Sequence, residues 1–202
     1  MLQYILSDNT NYSVGELAQM AIEGGCQWIC IHLPEADDSE IRESVEPDVI
    51  QLCRESGVFL TIDDRPTLSR DLGLHGVRLS RRFFLDNPDN TPLSVREDLG
   101  PEAIIGIELT DLSALPQLIQ ADIDFATIRM KDSIEDMVGF IYKLRQINKT
   151  FPIVAEGDFD TEQVAALIEK GYSGVAIGRP ISNAKDPVEA IARFINATIA
   201  QQ

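Results

Sequence analysis

Short apolar runs alternate with longer segments of helical periodicity along this chain. The runs are rich in β-branched residues and lack the period-two alternation of a half-buried strand. This pattern is typical of parallel strands that are buried on both faces. The eight runs are Leu2–Leu6, Gln27–Ile31, Val58–Ile62, Gly76–Leu79, Ala103–Ile107, Phe125–Ile128, Ile153–Ala155 and Gly174–Ile177.

Segments with helical periodicity fill the intervals between these runs. Ser13 followed by Glu16 predicts a capping box at the start of one helix, and Gly24 predicts its end. The other predicted helices are Asp48–Glu55, Thr67–Leu72, Ser133–Asn148, one that begins at Thr161 and ends before Gly171, and a last one with Pro187 in its first turn. The stretch Asp86–Pro92 has the composition of a loop.

Eight alternations of strand and helix within 202 residues predict a compact (β/α)8 barrel, the TIM barrel, as a single domain over residues 1–202. An open, doubly wound sheet is the alternative, and it typically has fewer strands. A glycine-rich turn after the first strand would support that alternative. Here Ser7, Asp8 and Asn9 follow the first run, so the barrel is favoured.

The composition is acidic, with a formal net charge of -16 and a pI of about 4.4. Binding to nucleic acid or to an anionic membrane depends on lysine and arginine that neutralise phosphate. We therefore expect neither partner. An anionic small molecule would need locally concentrated positive charge or a metal ion.

Several features bear on the compartment. The three cysteines, Cys26, Cys30 and Cys53, are an odd number without the spacing of a disulfide framework. The N-terminus lacks the basic and apolar regions of a signal peptide, and no apolar run approaches transmembrane length. We expect a cytoplasmic protein, for which a homodimer is one possible assembly.

Polar residues follow the predicted strands, and in a barrel such residues meet at one rim, where substrates bind. Asp63, Asp64 and Arg65 come directly after the third run, and Glu108 follows the fifth. Clustered carboxylates repel one another, so a hard cation such as Mg²⁺ would stabilise them. Pairing with arginine around the rim is an equally favoured alternative.

Glycines follow the last two predicted strands. Gly157 and Asp158 come after the seventh run, and Gly178 and Arg179 come after the eighth. Barrels often bind phosphate at these two loops, because glycine lets backbone N–H groups approach an anion and arginine adds a charged fork. The alternative is that both glycines only make tight turns.

The two histidines differ in their predicted positions. His32 follows the second run at the rim and is a candidate acid–base group. His75 precedes the fourth run, at the opposite end of the barrel, and is interpreted as structural. Neither has a catalytic partner nearby in the sequence.

Several segments together resemble thiamine-phosphate synthase and its relatives, including the thiazole tautomerase branch. The most specific is LTIDDRPTLSRDLGLHGVRLS, which is similar to the family pattern I-N-D-R followed by G-A-D-G-V-H-L-G. GGCQWICIHL, LGPEAIIGIELTD and the segment from Phe151 to the last predicted helix are similar to further family segments. The resemblance covers nearly the whole chain.

This resemblance implies a barrel enzyme that joins a pyrimidine diphosphate to a thiazole phosphate, with Mg²⁺ at the pyrophosphate. Asp64 matches the family's metal-binding aspartate, and Arg65 matches the arginine beside it. Gly157 matches one glycine of a phosphate-binding pair whose second position is Asp158 here. The turn from Gly178 matches the other phosphate loop.

Other positions depart from the family pattern. Cys30, His32 and Pro34 stand where the family has glutamine, arginine and lysine for the pyrophosphate. Asp63 replaces an asparagine, Glu108 replaces a serine, and Phe83 replaces a second metal-binding aspartate. Arg81 and Arg82 nearby could supply positive charge.

Three hypotheses follow for the function. The first is an enzyme of the thiamine-phosphate synthase type that binds a phosphorylated small molecule, with catalytic candidates His32, Asp63, Arg81 and Glu108, phosphate-binding candidates Arg65, Gly157, Asp158, Gly178 and Arg179, and Asp64 as the metal ligand. The second is a non-catalytic sensor or partner protein on the same barrel. The third is a different enzyme that uses His32 and Glu108 as acid and base.

Overall fold

In the part of the chain that the structure describes, eight parallel strands close into a barrel, each paired with the next in chain order and the last with the first. The computed structural model describes residues 1–9, 11–45, 47–130 and 133–199. The closed barrel with its intervening helices confirms the predicted (β/α)8 fold. The strands are β1 Leu2–Ser7, β2 Trp28–His32, β3 Phe59–Asp63, β4 Gly76–Leu79, β5 Ile104–Glu108, β6 Phe125–Arg129, β7 Ile153–Glu156 and β8 Gly174–Ile177.

Most strands run one residue further than the apolar pattern predicts. The added residue is polar each time, and it still pairs in register with a neighbouring strand, as Ser7 does with His32 and Arg129 with Glu156. These added residues are Ser7, His32, Asp63, Glu108, Arg129 and Glu156. The carboxyl ends of the strands therefore form a polar rim, which we call the mouth.

Helices connect the strands on the outside. They are α1 Val14–Glu23, α2 Asp38–Val45, α3 Asp48–Ser56, α4 Pro66–Asp71, α5 Arg81–Asp86, α6 Pro92–Leu99, α7 Leu115–Gln120, α8 Ile134–Ile147, α9 Thr161–Glu169, α10 Arg179–Ser182 and α11 Pro187–Ile199, with a 3₁₀ turn at Leu112–Ala114. The capping box of Ser13 and Glu16 is present, and Ser133 caps α8. Helices α2, α5, α6, α7 and α10 are short and were missed by the periodicity analysis.

The strands bury both faces, which explains why their sequences lack alternation. Outward side chains such as Tyr4 and Leu6 pack in the core between strands and helices. The inward set forms a second, smaller cluster inside the barrel. Its members are Ile5, Trp28, Cys30, Phe125, Val154 and Ala176.

Aromatic rings close the end of the barrel opposite the mouth. Trp28 and Phe125 meet edge to face with ring centroids 5.1 Å apart, and Phe125 lies across Gly106. Phe59 packs at this end against His75, whose Nδ1 accepts a hydrogen bond of 3.0 Å from the Leu60 N–H. His75 is therefore structural and distant from the mouth, as predicted.

Two further observations concern the chain as a whole. Among residues 1–9, 11–45, 47–130 and 133–199, no helix combines the length and apolar character needed to cross a bilayer. Cys26, Cys30 and Cys53 are free and buried, in agreement with the predicted lack of a disulfide framework.

Candidate active site

A buried ion pair lies at the centre of the mouth, between β3 and β4. Arg78 is 5% exposed and extends into the barrel, where its Nε donates to Asp63 Oδ1 at 2.7 Å and its Nη2 donates to Asp63 Oδ2 at 2.5 Å. Its third nitrogen, Nη1, donates to Glu156 Oε2 at 3.1 Å. Both oxygens of Asp63 and one oxygen of Glu156 are thus held by one guanidinium.

Two further side chains donate to Asp63 from β2. The Cys30 thiol donates to Oδ1 at 3.1 Å, and His32 Nδ1 lies 2.7 Å from Oδ2. Arg129 extends the cluster on the other side through Glu156 Oε1 at 3.0 Å. We call Cys30, His32, Asp63, Arg78, Arg129 and Glu156 the mouth cluster.

Sequence reasoning missed Arg78. The signal was present, because a charged residue in the four-residue strand GVRL must face the barrel interior or the outer core, and burial in either place requires a partner. Its neighbour Asp63 was predicted as a site residue, but the sequence did not indicate that the two would pair.

Electrostatics within the mouth cluster keep Asp63 ionised. Burial alone would raise the pKa of this carboxyl, but the Arg78 guanidinium and the hydrogen bond from His32 outweigh it and hold the pKa well below its usual range. Burial and the neighbouring Asp63 charge raise the pKa of the Cys30 thiol well above its usual value. Cys30 therefore stays protonated and is not a reactive thiolate.

The lowered pKa of Asp63 predicts an acid-sensitive fold. A carboxyl whose folded pKa lies below its unfolded value of about 4 stabilises the fold above that pH, and the stabilisation is lost as the pH falls further. We expect the free energy of unfolding to drop by about 1 kcal/mol between pH 6 and pH 3 because of this group. Urea unfolding at both pH values measures the drop.

The matched variants for that measurement are Asp63→Asn and Asp71→Asn. Asp63→Asn should lower stability at pH 6 and show a smaller further loss at pH 3. Asp71, an exposed carboxylate paired with Arg42, should leave the loss unchanged. An equal acid-induced loss in wild type and Asp63→Asn would contradict the prediction.

Two cavities open at the mouth, and His32 borders both. The first, of about 370 Å³, lies between the loops after β2 and β3 and helix α5. Asp64, Arg65 and Arg82 are among its lining residues. The second, of about 490 Å³, lies over β6, β7, β8 and β1, where Arg129, Gly157, Gly178 and Arg179 contribute.

Asp64 has a fixed orientation in the first cavity. Its φ of 53° lies in the left-handed region, which is uncommon for a residue with a side chain. Oδ1 accepts the Ser80 N–H at 2.6 Å and Oδ2 accepts the Ser80 hydroxyl at 2.7 Å, so the carboxylate links the ends of β3 and β4. Arg65 borders the same cavity, with Nη2 donating to Ala36 O at 2.7 Å.

The catalytic candidates Glu108 and Arg81 contact each other at the mouth. A Glu108 oxygen accepts the backbone N–H of Arg81 at 2.9 Å, at the start of α5. Glu108 therefore stabilises a helix N-terminus. The carboxylate that pairs with His32 is Asp63, and the use of His32 and Glu108 as acid and base stays a prediction.

The loops after β7 and β8 do meet at the second cavity. Arg179 forms an ion pair with Asp158 across them. A Cβ on Gly157 would lie 2.8 Å from Phe159 Cζ, so this position requires glycine for packing. Its N–H donates to Ala176 O at 3.3 Å rather than pointing freely into the cavity. Gly178 precedes α10 and its carbonyl accepts from Ile181 N–H at 2.9 Å.

Comparison with known proteins identifies the family. The family model for thiamine monophosphate synthase matches residues 3–181. The chain belongs to the thiamine monophosphate synthase family. It is 32% identical over 207 residues to the thiamine-phosphate synthase of Bacteroides fragilis strain YCH46, covering 96% of this chain and 98% of that protein. The corresponding protein of Bacteroides thetaiotaomicron is 29% identical over 207 residues, with 96% of each chain covered.

A solved structure supports the fold of this family member. Thiamine phosphate pyrophosphorylase from Pyrococcus furiosus superimposes with a TM-score of 0.83 at 20% sequence identity, covering 98% of this chain and 96% of that one. At this identity the likeness concerns the fold alone.

In this member of the thiamine monophosphate synthase family, several carboxylates at the mouth pair with arginine, which is the predicted alternative to a metal ion. Asp63 and Glu156 pair with Arg78, and Asp158 pairs with Arg179. Within the described residues, no three His, Cys, Asp or Glu side chains are grouped closely enough to hold a metal ion. Lys131, which follows the sixth predicted strand and is a further candidate for positive charge at the rim, lies outside the described residues.

Proposed function

We propose that this protein couples a pyrimidine diphosphate to a thiazole phosphate, as its family resemblance implies. The observation that carries the proposal is the pair of cavities that meet at His32. A coupling reaction needs two anionic substrates side by side, and each cavity has arginine in its lining.

The first cavity suits the diphosphate. Arg65 and Arg82 line it, and both can pair with phosphate oxygens. Each carboxylate oxygen of Asp64 accepts one hydrogen bond from Ser80 and keeps a second lone-pair site. Mg²⁺ commonly uses one or two carboxylates together with waters and substrate phosphates, so Asp64 fits as its protein ligand. When bound, Mg²⁺ would offset the negative charge of the diphosphate.

The second cavity suits the thiazole phosphate. Arg129 and Arg179 line it, and Arg129 pairs with Glu156 while Arg179 pairs with Asp158. Both arginine side chains are substantially exposed, so exchanging a carboxylate for a phosphate costs little desolvation. Gly178 keeps the start of α10 close to β1, at the edge of this cavity.

Calorimetry and a coupling assay test this function. We expect inorganic pyrophosphate to bind only when Mg²⁺ is present. We expect Asp64→Asn to abolish this Mg²⁺-dependent binding. Arg179→Ala should weaken binding of the thiazole phosphate about tenfold, since a hydrogen bond to a charged group contributes about 1.5–3 kcal/mol. Lys185→Ala removes an equal charge from an exposed position outside both linings and should have no effect.

The outcomes separate coupling from simple binding. Formation of thiamine phosphate and pyrophosphate from the two substrates supports the proposal. Binding of both ligands without product would support the non-catalytic relative instead. No binding of either ligand at millimolar concentration would refute both. Assembly as a homodimer remains a prediction.

A further inference from the structure

His32 has a fixed hydrogen-bonding arrangement that differs from that of a mobile surface histidine. Its Nδ1 lies 2.7 Å from Asp63 Oδ2, and its side chain is 36% exposed. Both oxygens of Asp63 accept hydrogen bonds from the Arg78 guanidinium, which is the arrangement of a carboxylate that only accepts. The proton of a neutral His32 must then be on Nδ1, which leaves Nε2 as the atom that gains or loses a proton.

Asp63 is itself immobilised by Arg78. Each carboxylate oxygen receives two donors: Oδ1 from Arg78 Nε and Cys30, and Oδ2 from Arg78 Nη2 and His32. A forked guanidinium holds a carboxylate in one plane. Glu156 in turn holds the remaining Arg78 nitrogen, so the orientation of His32 is set from the barrel interior.

The fixed imidazole of His32 lies next to both cavities. It would therefore lie between the leaving group of a ligand in the first cavity and the ligand in the second. Charged groups of both signs line these cavities. Besides Asp63, these groups are Glu35, Asp64, Arg65, Arg82, Asp86, Arg129, Glu156, Asp158 and Arg179.

We propose that His32 is the proton donor to the diphosphate leaving group, with Asp63 and Arg78 as its positioning residues. The role rests on the coupling function proposed above. The C–O bond between the pyrimidine methylene carbon and the diphosphate breaks, and its electron pair stays on the oxygen, which takes the Nε2 proton. The methylene carbon bonds to the thiazole nitrogen. His32 is left neutral, keeps its proton on Nδ1 in the hydrogen bond to Asp63, and regains a proton on Nε2 from solvent.

The proton of His32 takes the place of a fixed positive charge beside the leaving diphosphate. Loss of a diphosphate builds negative charge on the leaving oxygen, which a proton neutralises directly. The loop after β2 offers Pro34 and Glu35 near the same cavity, neither of which can donate a side-chain proton as a cation. His32 is the residue of that segment able to do so.

Histidine NMR tests the arrangement without any turnover. The sequence contains only two histidines, so each nitrogen signal can be assigned. Above neutral pH we expect His32 as the Nδ1–H tautomer and His75 as the Nε2–H tautomer, because His75 Nδ1 accepts a backbone hydrogen bond. Adding inorganic pyrophosphate with MgCl₂ near neutral pH should shift His32 Nε2 towards its protonated position and leave His75 unchanged.

Variants separate the donor from its positioning residues. His32→Gln should lower kcat about 100-fold or more, whereas His75→Gln should change it less than twofold. Asp63→Ala should abolish the tautomer preference of His32. Arg78→Lys, which keeps the charge but loses the fork, should retain part of that preference and of kcat, and Arg78→Met should retain neither.

Each result has a defined meaning. An Nε2–H tautomer at His32, or no response of His32 to pyrophosphate, overturns the proposal, as does full coupling activity in His32→Gln. If the wild-type protein forms no coupled product while His32 takes up a proton with pyrophosphate, the coupling function and the donor role both fail, and only the orientation of His32 by Asp63 and Arg78 is supported. Coupled product with full activity in His32→Gln would overturn the donor role alone.

Discussion

Replacing Arg78 with methionine should lower the free energy of unfolding by about 3–5 kcal/mol, measured by urea unfolding near neutral pH. The substitution leaves the Asp63 carboxylate buried beside Glu156 without the guanidinium that both contact. An uncompensated buried charge is far more costly than the loss of an exposed ion pair. Methionine fills much of the space of the arginine stem, so the loss reports charge rather than volume.

Two further variants make this expectation specific. Arg42→Met breaks the exposed pair with Asp71 and should cost less than about 1 kcal/mol. The double variant Arg78→Met/Asp63→Leu removes the stranded charge and should recover at least half of the lost stability. A cost below about 1 kcal/mol for Arg78→Met would show that the mouth cluster is hydrated rather than buried.

Phe125→Ala should destabilise the protein by about 3–5 kcal/mol, because it empties the aromatic floor of the barrel. Phe125 is 3% exposed and packs edge to face on Trp28. On the neighbouring strand, Gly106 leaves room for this ring, because a Cβ at that position would lie 2.0 Å from Phe125 Cζ. The ring and the glycine therefore form one packing unit.

A double-mutant cycle measures this coupling. Gly106→Ala alone should cost about 1–3 kcal/mol through overpacking. In the Phe125→Ala background the same change meets no ring and should be neutral or stabilising. Additive effects in thermal or urea unfolding would contradict the close approach.

The sequence predicted the architecture because burial on both faces leaves a strong pattern. Each of the eight predicted strands is observed, and the capping box at Ser13 and the helix from Ser133 are present. The missed helices are short, and several begin with a proline or a single cap rather than a periodic apolar face. Helix α5 is an example, since Ser80 caps it and Arg81 and Arg82 obscure its periodicity.

The site was only partly predictable, because contacts across the barrel have no local signature. The residues after β3, β7 and β8 were identified from their position at the rim. The pairing of His32 with Asp63 joins residues on neighbouring strands, 31 positions apart. Arg78 and Glu156 are 78 positions apart, and only closure of the barrel brings them together.

The aromatic rings at the end opposite the mouth limit the routes by which ligands can enter and leave. With Trp28 and Phe125 packed across the axis, the barrel is a cup and not a tunnel. Ligands of the two cavities would therefore approach and leave on the mouth side of the barrel.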